Sequence, residues 1–188
     1  MAQNFDHFMK EIRIVITGPE CTGKSTLSER LASYFDTLYV PEYAREYVTN
    51  LQRDYTYEDV VHIAETQLRQ VREDHPGRKV VFFDTWLIIS KIWFKVVYGK
   101  YPVWIDTELN NGYIDLWLVC DTDIPWIADG VRENGGEMRQ KLMNLYLDEI
   151  RNINGKYFII SGSGDQRFLN ALKIIKKTFP EIDRDLPR

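Results

Sequence analysis

The sequence has few cysteines, few histidines and no long apolar segment. Its two cysteines, Cys21 and Cys120, are too few for a disulfide framework, which favours a reducing compartment such as the cytoplasm. The most apolar stretch, residues 86–98, is interrupted by two lysines and is too short to cross a bilayer. The first ten residues contain no apolar core of the kind that a signal peptide requires. These absences argue against a secreted or membrane-spanning protein.

The chain also lacks a strong excess of charge of either sign. It has 24 basic and 28 acidic side chains, a formal net charge of −4, which argues against a protein that binds the backbone of a nucleic acid. What remains is an ordinary globular composition, with 44% hydrophobic and 28% charged residues. At 188 residues the chain is long enough for one domain, and we expect residues 1–188 to form it, with a core over about 12–179.

Short strand-like segments alternate with longer helical patterns along the chain. The predicted strands are Ile12–Thr17 and residues 37–40, 79–83, 114–119 and 157–161. Among the helical patterns, residues 86–98 are apolar on most sides. This alternation predicts an α/β protein of three αβα layers, in which a five-stranded parallel sheet carries helices on both faces. Ligands of such folds bind at the carboxyl ends of the strands.

Two helices have candidate capping boxes at their starts. In this motif the side chain of the residue before the helix accepts a hydrogen bond from the backbone N–H three residues later. The side chain of that later residue accepts one from the backbone N–H of the first. Thr56 with Asp59 and Ser163 with Gln166 both fit the pattern.

The most informative motif follows the first predicted strand. It fits the phosphate-binding pattern G-x-x-x-x-G-K-[ST] and consists of Gly18, Pro19, Glu20, Cys21, Thr22, Gly23, Lys24 and Ser25, with Thr26 next in the helix. The glycines let backbone N–H groups turn towards phosphate oxygens. Lys24 would bind the β- and γ-phosphates, and the Ser25 hydroxyl would be a Mg²⁺ ligand. An apolar strand before the motif and a periodic helix after it favour this interpretation over an ordinary glycine-rich turn.

Acidic residues follow the second and third predicted strands. Glu42 comes two residues after the predicted strand 37–40, where it would stand beside the phosphate loop or else be a solvated acid at a helix start. Asp84 ends an apolar run, as a magnesium-binding acid does in phosphate-loop proteins. The next residue is Thr85 rather than a second acid that could orient a water, which favours phosphoryl transfer over hydrolysis.

Two further regions could approach a nucleotide. Residues 121–139 are polar and rich in glycine, and they predict a small mobile lid whose Arg132 and Arg139 close over phosphate; a solvated surface loop is the alternative. We expect both arginines to be poorly ordered without nucleotide. After the last strand, Arg167 either borders an adenine or belongs to a plain turn. The guanine-reading motif Asn-Lys-x-Asp is absent from the sequence, which favours ATP over GTP.

Together these segments resemble the ribosylnicotinamide kinase domain of NadR-type proteins, which belongs to an AAA-like group of P-loop kinases. The resemblance rests on the phosphate loop, on residues 40–46 (Val-Pro-Glu-Tyr-Ala-Arg-Glu), on residues 83–85 (Phe-Asp-Thr) and on residues 126–132 (Trp-Ile-Ala-Asp-Gly-Val-Arg). It covers residues 12–179. The resemblance implies a strand order of 2-3-1-4-5 and transfer of the γ-phosphoryl group of ATP to the 5′-hydroxyl of nicotinamide riboside.

The resemblance also implies roles for individual residues. Lys24 and Ser25 would serve ATP and Mg²⁺, while Glu42 and Asp84 would be the acids near the acceptor hydroxyl. The residues implied in substrate binding are Glu42, Tyr43, Arg45, Trp126 as the ring that stacks on nicotinamide, and Asp129. Asp129 lines the lid together with Arg132, which is a candidate catalytic residue. One departure is Trp86, which stands where the family often has an acid and would enlarge an aromatic site. Glu42 is our candidate for the general base, and Asp84 for the metal ligand.

Larger NadR-type proteins carry further domains that we do not expect in this chain. Only 11 residues precede the first strand, and the three histidines form no nucleotidyltransferase motif, so neither an adenylyltransferase nor a helix-turn-helix domain is expected. The expected partners are a small nucleoside, ATP and Mg²⁺, with no nucleic acid and no membrane. Two alternatives remain open: a kinase for another nucleoside or deoxynucleoside, and a nucleotide-dependent regulatory ATPase.

Overall fold

The computed structural model describes residues 10–127 and 136–183, and its centre is a parallel sheet of five strands. The strands are β1 (Ile12–Thr17), β2 (Tyr39–Val40), β3 (Val80–Asp84), β4 (Leu116–Cys120) and β5 (Tyr157–Ile160). Their order across the sheet is β2-β3-β1-β4-β5, and every pairing is parallel. The predicted fold class and strand order are therefore confirmed, although β2 is two residues shorter than predicted.

Helices cover both faces of this sheet. They are α1 (Lys24–Tyr34), α2 (Tyr43–Asn50), α3 (Tyr57–Arg72), α4 (Leu87–Trp93), α5 (Trp104–Leu109), α6 (Gly136–Asn152), α7 (Gly164–Thr178) and α8 (Pro180–Asp183). Within the described ranges no helix is both long and apolar enough to cross a membrane.

Strand residues alternate between two separate apolar cores. Val15 of β1 and Phe83 of β3 pack in a core with α3, α4, α5 and α6. Ile16 and Phe82, their neighbours in the chain, pack on the opposite face with α1 and α7. Because successive strand side chains point to opposite faces, apolar runs such as Val80–Asp84 are buried on both sides.

The sheet register places two acids near the phosphate loop. Ile16 of β1 lies opposite Asp84 of β3, and Val40 of β2 lies opposite Phe83. Asp84 therefore ends the strand beside the loop, and Glu42 follows the strand one position further out.

One of the two predicted capping boxes is present. The Asp59 N–H donates to Thr56 Oγ1 at 3.3 Å, and the Thr56 N–H donates to Asp59 Oδ2 at 2.7 Å, which starts α3. Ser163 precedes α7, but its side chain makes no capping bond, so that prediction is wrong. The Gln166 N–H bonds the Ser163 carbonyl instead.

The predicted helix over residues 86–98 has two parts. After α4 the chain forms a wider π-helical turn, Phe94–Tyr98, which ends at Gly99 with φ 65°. Such turns occur frequently at functional sites.

A buried ion cluster holds α4 against α6. The Lys91 ammonium donates to Glu149 and lies 2.7 Å from Asp106 of α5, and Lys95 donates to the same Glu149 at 2.5 Å. Although burial opposes its charge, these carboxylates raise the pKa of Lys91. The cluster fixes the spacing of the helices that line the candidate site.

Candidate functional site

The loop between β1 and α1 has the backbone shape that phosphate binding requires. Gly18 has φ 129°, and a Cβ atom there would lie 2.7 Å from the Cys120 carbonyl oxygen, so a larger residue cannot fit. Gly23 has φ 75° and precedes the first turn of α1. The N-terminus of α1, with its unpaired N–H groups and positive dipole end, therefore faces the loop interior.

Two side chains of the loop bond its own backbone. Lys24 Nζ donates to the Pro19 carbonyl at 3.0 Å, and Thr22 Oγ1 donates to the same oxygen at 2.8 Å. Lys24 is buried, so its charge is held inside the loop. The structure thus brings Lys24 to the position that the motif predicts.

Asp84 and Ser25 present oxygen atoms beside this loop. Asp84 is buried, and its Oδ1 atom has no hydrogen-bond partner among the described residues. Burial raises the pKa of Asp84, whereas the nearby Lys24 charge and a hydrogen bond with Ser25 lower it. A carboxylate and a hydroxyl are the ligands that Mg²⁺ prefers, and an orphaned buried carboxylate oxygen fits a cation at this point.

The described residues contain no group of three or more His, Cys, Asp or Glu side chains that could enclose a metal ion. Ser25 and Asp84 alone would leave most positions around Mg²⁺ open. This donor set fits an ion that is shared with the phosphates of a nucleotide.

Glu42 lines the cleft close to the phosphate loop, where it lies near the charges of Lys24 and Asp84. Burial raises its pKa, Lys24 lowers it and Asp84 raises it, with smaller effects from Arg45 and Glu20. Glu42 and Arg45 both line the cleft. A carboxyl group with a raised pKa beside a phosphate site is suited to accept a proton during phosphoryl transfer.

The cleft has a volume of about 450 Å³ and extends from the loop to an apolar end. The phosphate-loop end is lined by residues 18–26. Beyond Glu42 it is lined by apolar and aromatic side chains: Ala44, Val48, Tyr55, Ile89, Ile92, Trp93, Val96, Val97, Leu142 and Tyr146. This volume is in the range of small-molecule sites.

Two aromatic rings stand at the apolar end. Tyr55 and Trp93 contact edge to face, with ring centroids 4.7 Å apart and planes at 77°. Sequence reasoning missed both as site residues, because Trp93 lies on a helix with aromatic residues on most sides. The spacing of Ile89, Trp93 and Val97, four residues apart, is the signal that could have found this wall.

Tyr146 of α6 was also missed. Its side chain is buried and lines the cleft, and burial raises its pKa, helped by the negative charges of Glu42 and Glu20. The phenol is therefore neutral and can donate a hydrogen bond into the cleft.

Trp86 does not enlarge the site, which corrects the prediction from the sequence. Its ring is 2% exposed, packs against Trp117 at 5.9 Å between centroids, and donates from Nε1 to the Gln67 carbonyl. It precedes α4 with an extended backbone and is directed into the core rather than the cleft.

We expect Trp86→Phe to reduce stability and leave catalysis unchanged. The substitution leaves a small cavity and removes a buried hydrogen bond, a loss of about 1–3 kcal/mol in the free energy of unfolding. Urea unfolding measures that loss, and steady-state kinetics measure the KM of the acceptor. A raised acceptor KM with unchanged stability would show instead that Trp86 contributes to the substrate site.

Tyr43 and Trp126 are also placed differently from expectation. The Tyr43 hydroxyl lies 3.0 Å from His62 Nε2 on α3, and its ring is outside the cleft. Trp126 is half-buried, and its neighbours Pro125 and Ile127 contact Cys21 of the phosphate loop. The structure therefore brings Tyr55 and Trp93, rather than Trp86 or Trp126, to the apolar end.

Arg139 is not a poorly ordered lid residue, as the sequence predicted, but part of α6. It is 7% exposed and donates from Nε to the Glu20 carbonyl, and from its two terminal nitrogens to the carbonyls of Ile124 and Cys21, at 2.7–3.2 Å. Asp129 and Arg132, the other predicted lid residues, lie outside the described residues.

Arg167 of α7 is equally enclosed. It is 3% exposed and donates to the carbonyls of Gly162, Thr22 and Asp121, and to the Asp123 carboxylate. It does not line the cleft, and of the two alternatives that the sequence left open, these contacts favour the plain turn over a border of the adenine site.

Comparisons with known proteins agree with this architecture. The chain is 26% identical over 176 residues to the trifunctional NAD biosynthesis/regulator protein NadR of Salmonella typhimurium, and equally so to that of Escherichia coli. These alignments cover 89% of this chain and 43% of each relative, so the chain spans less than half of their length.

Solved structures show the same fold. A NadR protein in complex with NR superposes with a TM-score of 0.75 at 21% identity, covering 95% of this chain and 52% of the other. A NadR protein in complex with NAD and AMP-PNP superposes with a TM-score of 0.69 at 23% identity and with the same coverage. Thymidylate kinase from Ehrlichia chaffeensis superposes with a TM-score of 0.63 at 16% identity, covering 89% of this chain and 98% of the other.

A family model described as an AAA domain matches residues 13–167, which include β1 to β5, the phosphate loop, Glu42 and Asp84. Since the match extends over most of the sequence, the chain belongs to this AAA domain family of phosphate-loop proteins.

Proposed function

We propose that this protein is an ATP-dependent kinase that phosphorylates the 5′-hydroxyl of nicotinamide riboside. One observation carries the proposal: a single cleft leads from a phosphate-binding loop, past a carboxyl group of raised pKa, to an aromatic end. The same cleft thus offers a site for a γ-phosphate, a proton acceptor and a surface for a flat acceptor ring. The similarity to NadR over 89% of the chain supports the choice of acceptor.

The chemistry of the apolar end favours a ring that is recognised by stacking. Beyond Glu42, the described lining contains no asparagine or glutamine that could read the edge of a nucleobase. Tyr55 and Trp93 instead offer aromatic surface, and aromatic faces attract a cationic ring such as nicotinamide in its riboside. The neutral Tyr146 hydroxyl supplies a donor for a polar group of the ligand.

In the proposed mechanism the loop and the acids have separate roles. Lys24 and the loop N–H groups bind the phosphates and stabilise charge that develops on the transferred phosphoryl group. Ser25 and Asp84 would hold Mg²⁺, which when bound neutralises phosphate charge. Glu42 accepts the proton of the acceptor hydroxyl, and its position between loop and aromatic end orients that hydroxyl for attack.

The proposal is tested by ADP release from ATP and Mg²⁺ with a panel of acceptors. Nicotinamide riboside is expected to give acceptor-dependent turnover, while thymidine, deoxyadenosine, uridine and nicotinic acid riboside measure specificity. Product identity is checked by mass spectrometry as nicotinamide mononucleotide. Turnover with a deoxynucleoside but not with nicotinamide riboside would overturn the acceptor assignment.

A kinase for deoxynucleosides is the second candidate. It is favoured by superposition on a deoxyadenosine kinase from M. mycoides, with a TM-score of 0.61 and 90% of this chain covered. The same panel decides between the two. Slow ATP hydrolysis that no acceptor accelerates would instead indicate the regulatory ATPase.

We expect Trp93→Ala to weaken acceptor binding selectively. Loss of stacking on an aromatic ring costs about 1–3 kcal/mol, so the acceptor KM should rise about 5- to 100-fold while the KM for ATP stays unchanged. Trp93→Phe keeps an aromatic face and should recover most of the affinity. Equal increases in both KM values would show that Trp93 supports the fold rather than the acceptor.

A further inference from the structure

Three consecutive carbonyl groups of the phosphate loop accept hydrogen bonds from two buried arginines. Arg139 of α6 bonds the carbonyls of Glu20 and Cys21, and Arg167 of α7 bonds the carbonyl of Thr22. The two side chains reach the loop from helices more than 100 residues later in the sequence.

The same arginines bond the segment that follows β4. Arg139 donates to the Ile124 carbonyl at 2.7 Å, and Arg167 donates to the Asp121 carbonyl at 3.2 Å and to the Asp123 carboxylate. Each guanidinium therefore joins this segment to the phosphate loop. The contact of a Cβ at Gly18 with the Cys120 carbonyl shows that loop and β4 end are close already at the backbone.

These bonds bear directly on nucleotide binding through the geometry of the peptide group. In a planar trans peptide the carbonyl and the following N–H point in opposite directions. Carbonyls of residues 20–22 held outward by the arginines therefore turn the N–H groups of residues 21–23 the other way, towards the loop interior. A guanidinium carries five N–H donors in a rigid planar fork, which suits it to bond several separated carbonyls at once.

We propose that Arg139 and Arg167 are positioning residues that hold the phosphate loop in its nucleotide-binding shape before the nucleotide arrives. They act through the loop backbone rather than on phosphate, because each nitrogen of both guanidinium groups donates to a protein acceptor and neither side chain lines the cleft. The inference rests on the nucleotide site of the proposed function but not on the identity of the acceptor.

The experiment compares ATP and ADP binding by calorimetry, with Mg²⁺ present and no acceptor. Arg139→Met and Arg167→Met are each expected to weaken the binding of ATP and of ADP by about 10- to 100-fold, since even a small displacement of a binding group reduces affinity strongly. The losses should be equal for ATP and ADP, because the loop N–H groups bind the phosphates that both share. Arg139→Lys and Arg167→Lys should restore little affinity, since a compact ammonium does not reproduce the rigid, widely spaced donors of a guanidinium.

Arg151→Met is the matched control. Arg151 is also on α6, but it is exposed and pairs with Asp148, away from the loop. Its substitution should leave both nucleotide affinities unchanged. If the methionine variants do not fold, the lysine variants give the test, because they keep a buried cation at the same position.

Three outcomes would overturn the proposal. A loss for ATP but not for ADP would mean that an arginine contacts the γ-phosphate. Wild-type affinity in the lysine variants would mean that charge alone suffices. A lower melting temperature, with the nucleotide affinity of the folded protein unchanged, would mean that the arginines stabilise the fold but do not shape the nucleotide site. None of these results depends on turnover with nicotinamide riboside.

Discussion

Replacement of Lys24 by alanine is expected to lower kcat/KM for phosphoryl transfer by at least about 10²- to 10³-fold. In the structure the ammonium group is buried within the loop and rests on the Pro19 carbonyl at 3.0 Å. That single backbone contact contributes little to stability, whereas the charge is placed to act on phosphate. Turnover is measured by ADP release, and folding by circular dichroism and thermal unfolding.

Lys177→Ala is the control for this experiment. Lys177 lies on α7 with an exposed side chain away from the cleft, so its loss should leave turnover unchanged. If Lys24→Ala keeps more than a tenth of the wild-type turnover, the loop does not bind the transferred phosphoryl group.

Substitutions of the two acids are expected to differ in kind. Glu42→Gln should lower kcat by about 10²- to 10⁴-fold with nearly unchanged affinity for ATP and Mg²⁺, because it removes the proton acceptor and leaves the metal ligands. Asp84→Asn should lower the rate and also raise the Mg²⁺ concentration needed for half-maximal activity. Measurement of kcat, the acceptor KM and Mg²⁺ dependence for both variants separates the two roles.

The pH profile gives an independent measurement on Glu42. Burial raises its pKa, so the carboxyl takes up a proton at a higher pH than an exposed glutamate does. The active form of a base is deprotonated, so kcat/KM should fall as the pH is lowered through this pKa. This acidic limb should be absent in Glu42→Gln and present in Asp84→Asn.

Loss of stability is not expected to explain the effect of Glu42→Gln. Because the folded state binds the proton of Glu42 more tightly than the unfolded state, ionised Glu42 opposes folding once the pH exceeds its raised pKa. Neutral glutamine at this position should leave stability at neutral pH unchanged or raise it.

If kcat of Glu42→Gln is retained and the acceptor KM rises, Glu42 binds the ribose hydroxyls and is not the base.

The parts of the site that the sequence predicted well are those in which backbone geometry determines residue type. A loop that requires φ near 129° at Gly18 and φ 75° at Gly23 leaves an unambiguous pattern of glycines. Asp84 was also predictable, because a polar residue after four buried apolar ones marks a strand end. Parallel pairing then places it beside the loop.

The aromatic end could not be predicted in the same way. Trp86 and Trp93 both belong to the apolar segment that follows β3, yet of the two only Trp93 lines the cleft. The ring that faces the cleft is determined by the orientation of α4 about its own axis relative to α6. That orientation is fixed by the contacts of Lys91 and Lys95 with Glu149, which lies more than 50 residues away in the sequence. The contacts of Arg139 and Arg167 with the phosphate loop were hidden for a similar reason, since the loop atoms that they bond are backbone carbonyls, which carry no sequence signal.

The strand order has a consequence for the distances between the reacting groups. Adjacent strands are about 4.8 Å apart, so β3 places Asp84 roughly one such step from the phosphate loop, and β2 places Glu42 roughly two steps away. These offsets belong to the hydrogen-bonded ladder of the sheet, and no exchange of side chains alters them. Side-chain length provides a finer adjustment, and Glu42, which follows the more distant strand, is the longer of the two acids. Strand spacing thus sets the approximate distance of each acid from the phosphate loop, and the single methylene group by which glutamate exceeds aspartate changes that distance by a smaller amount.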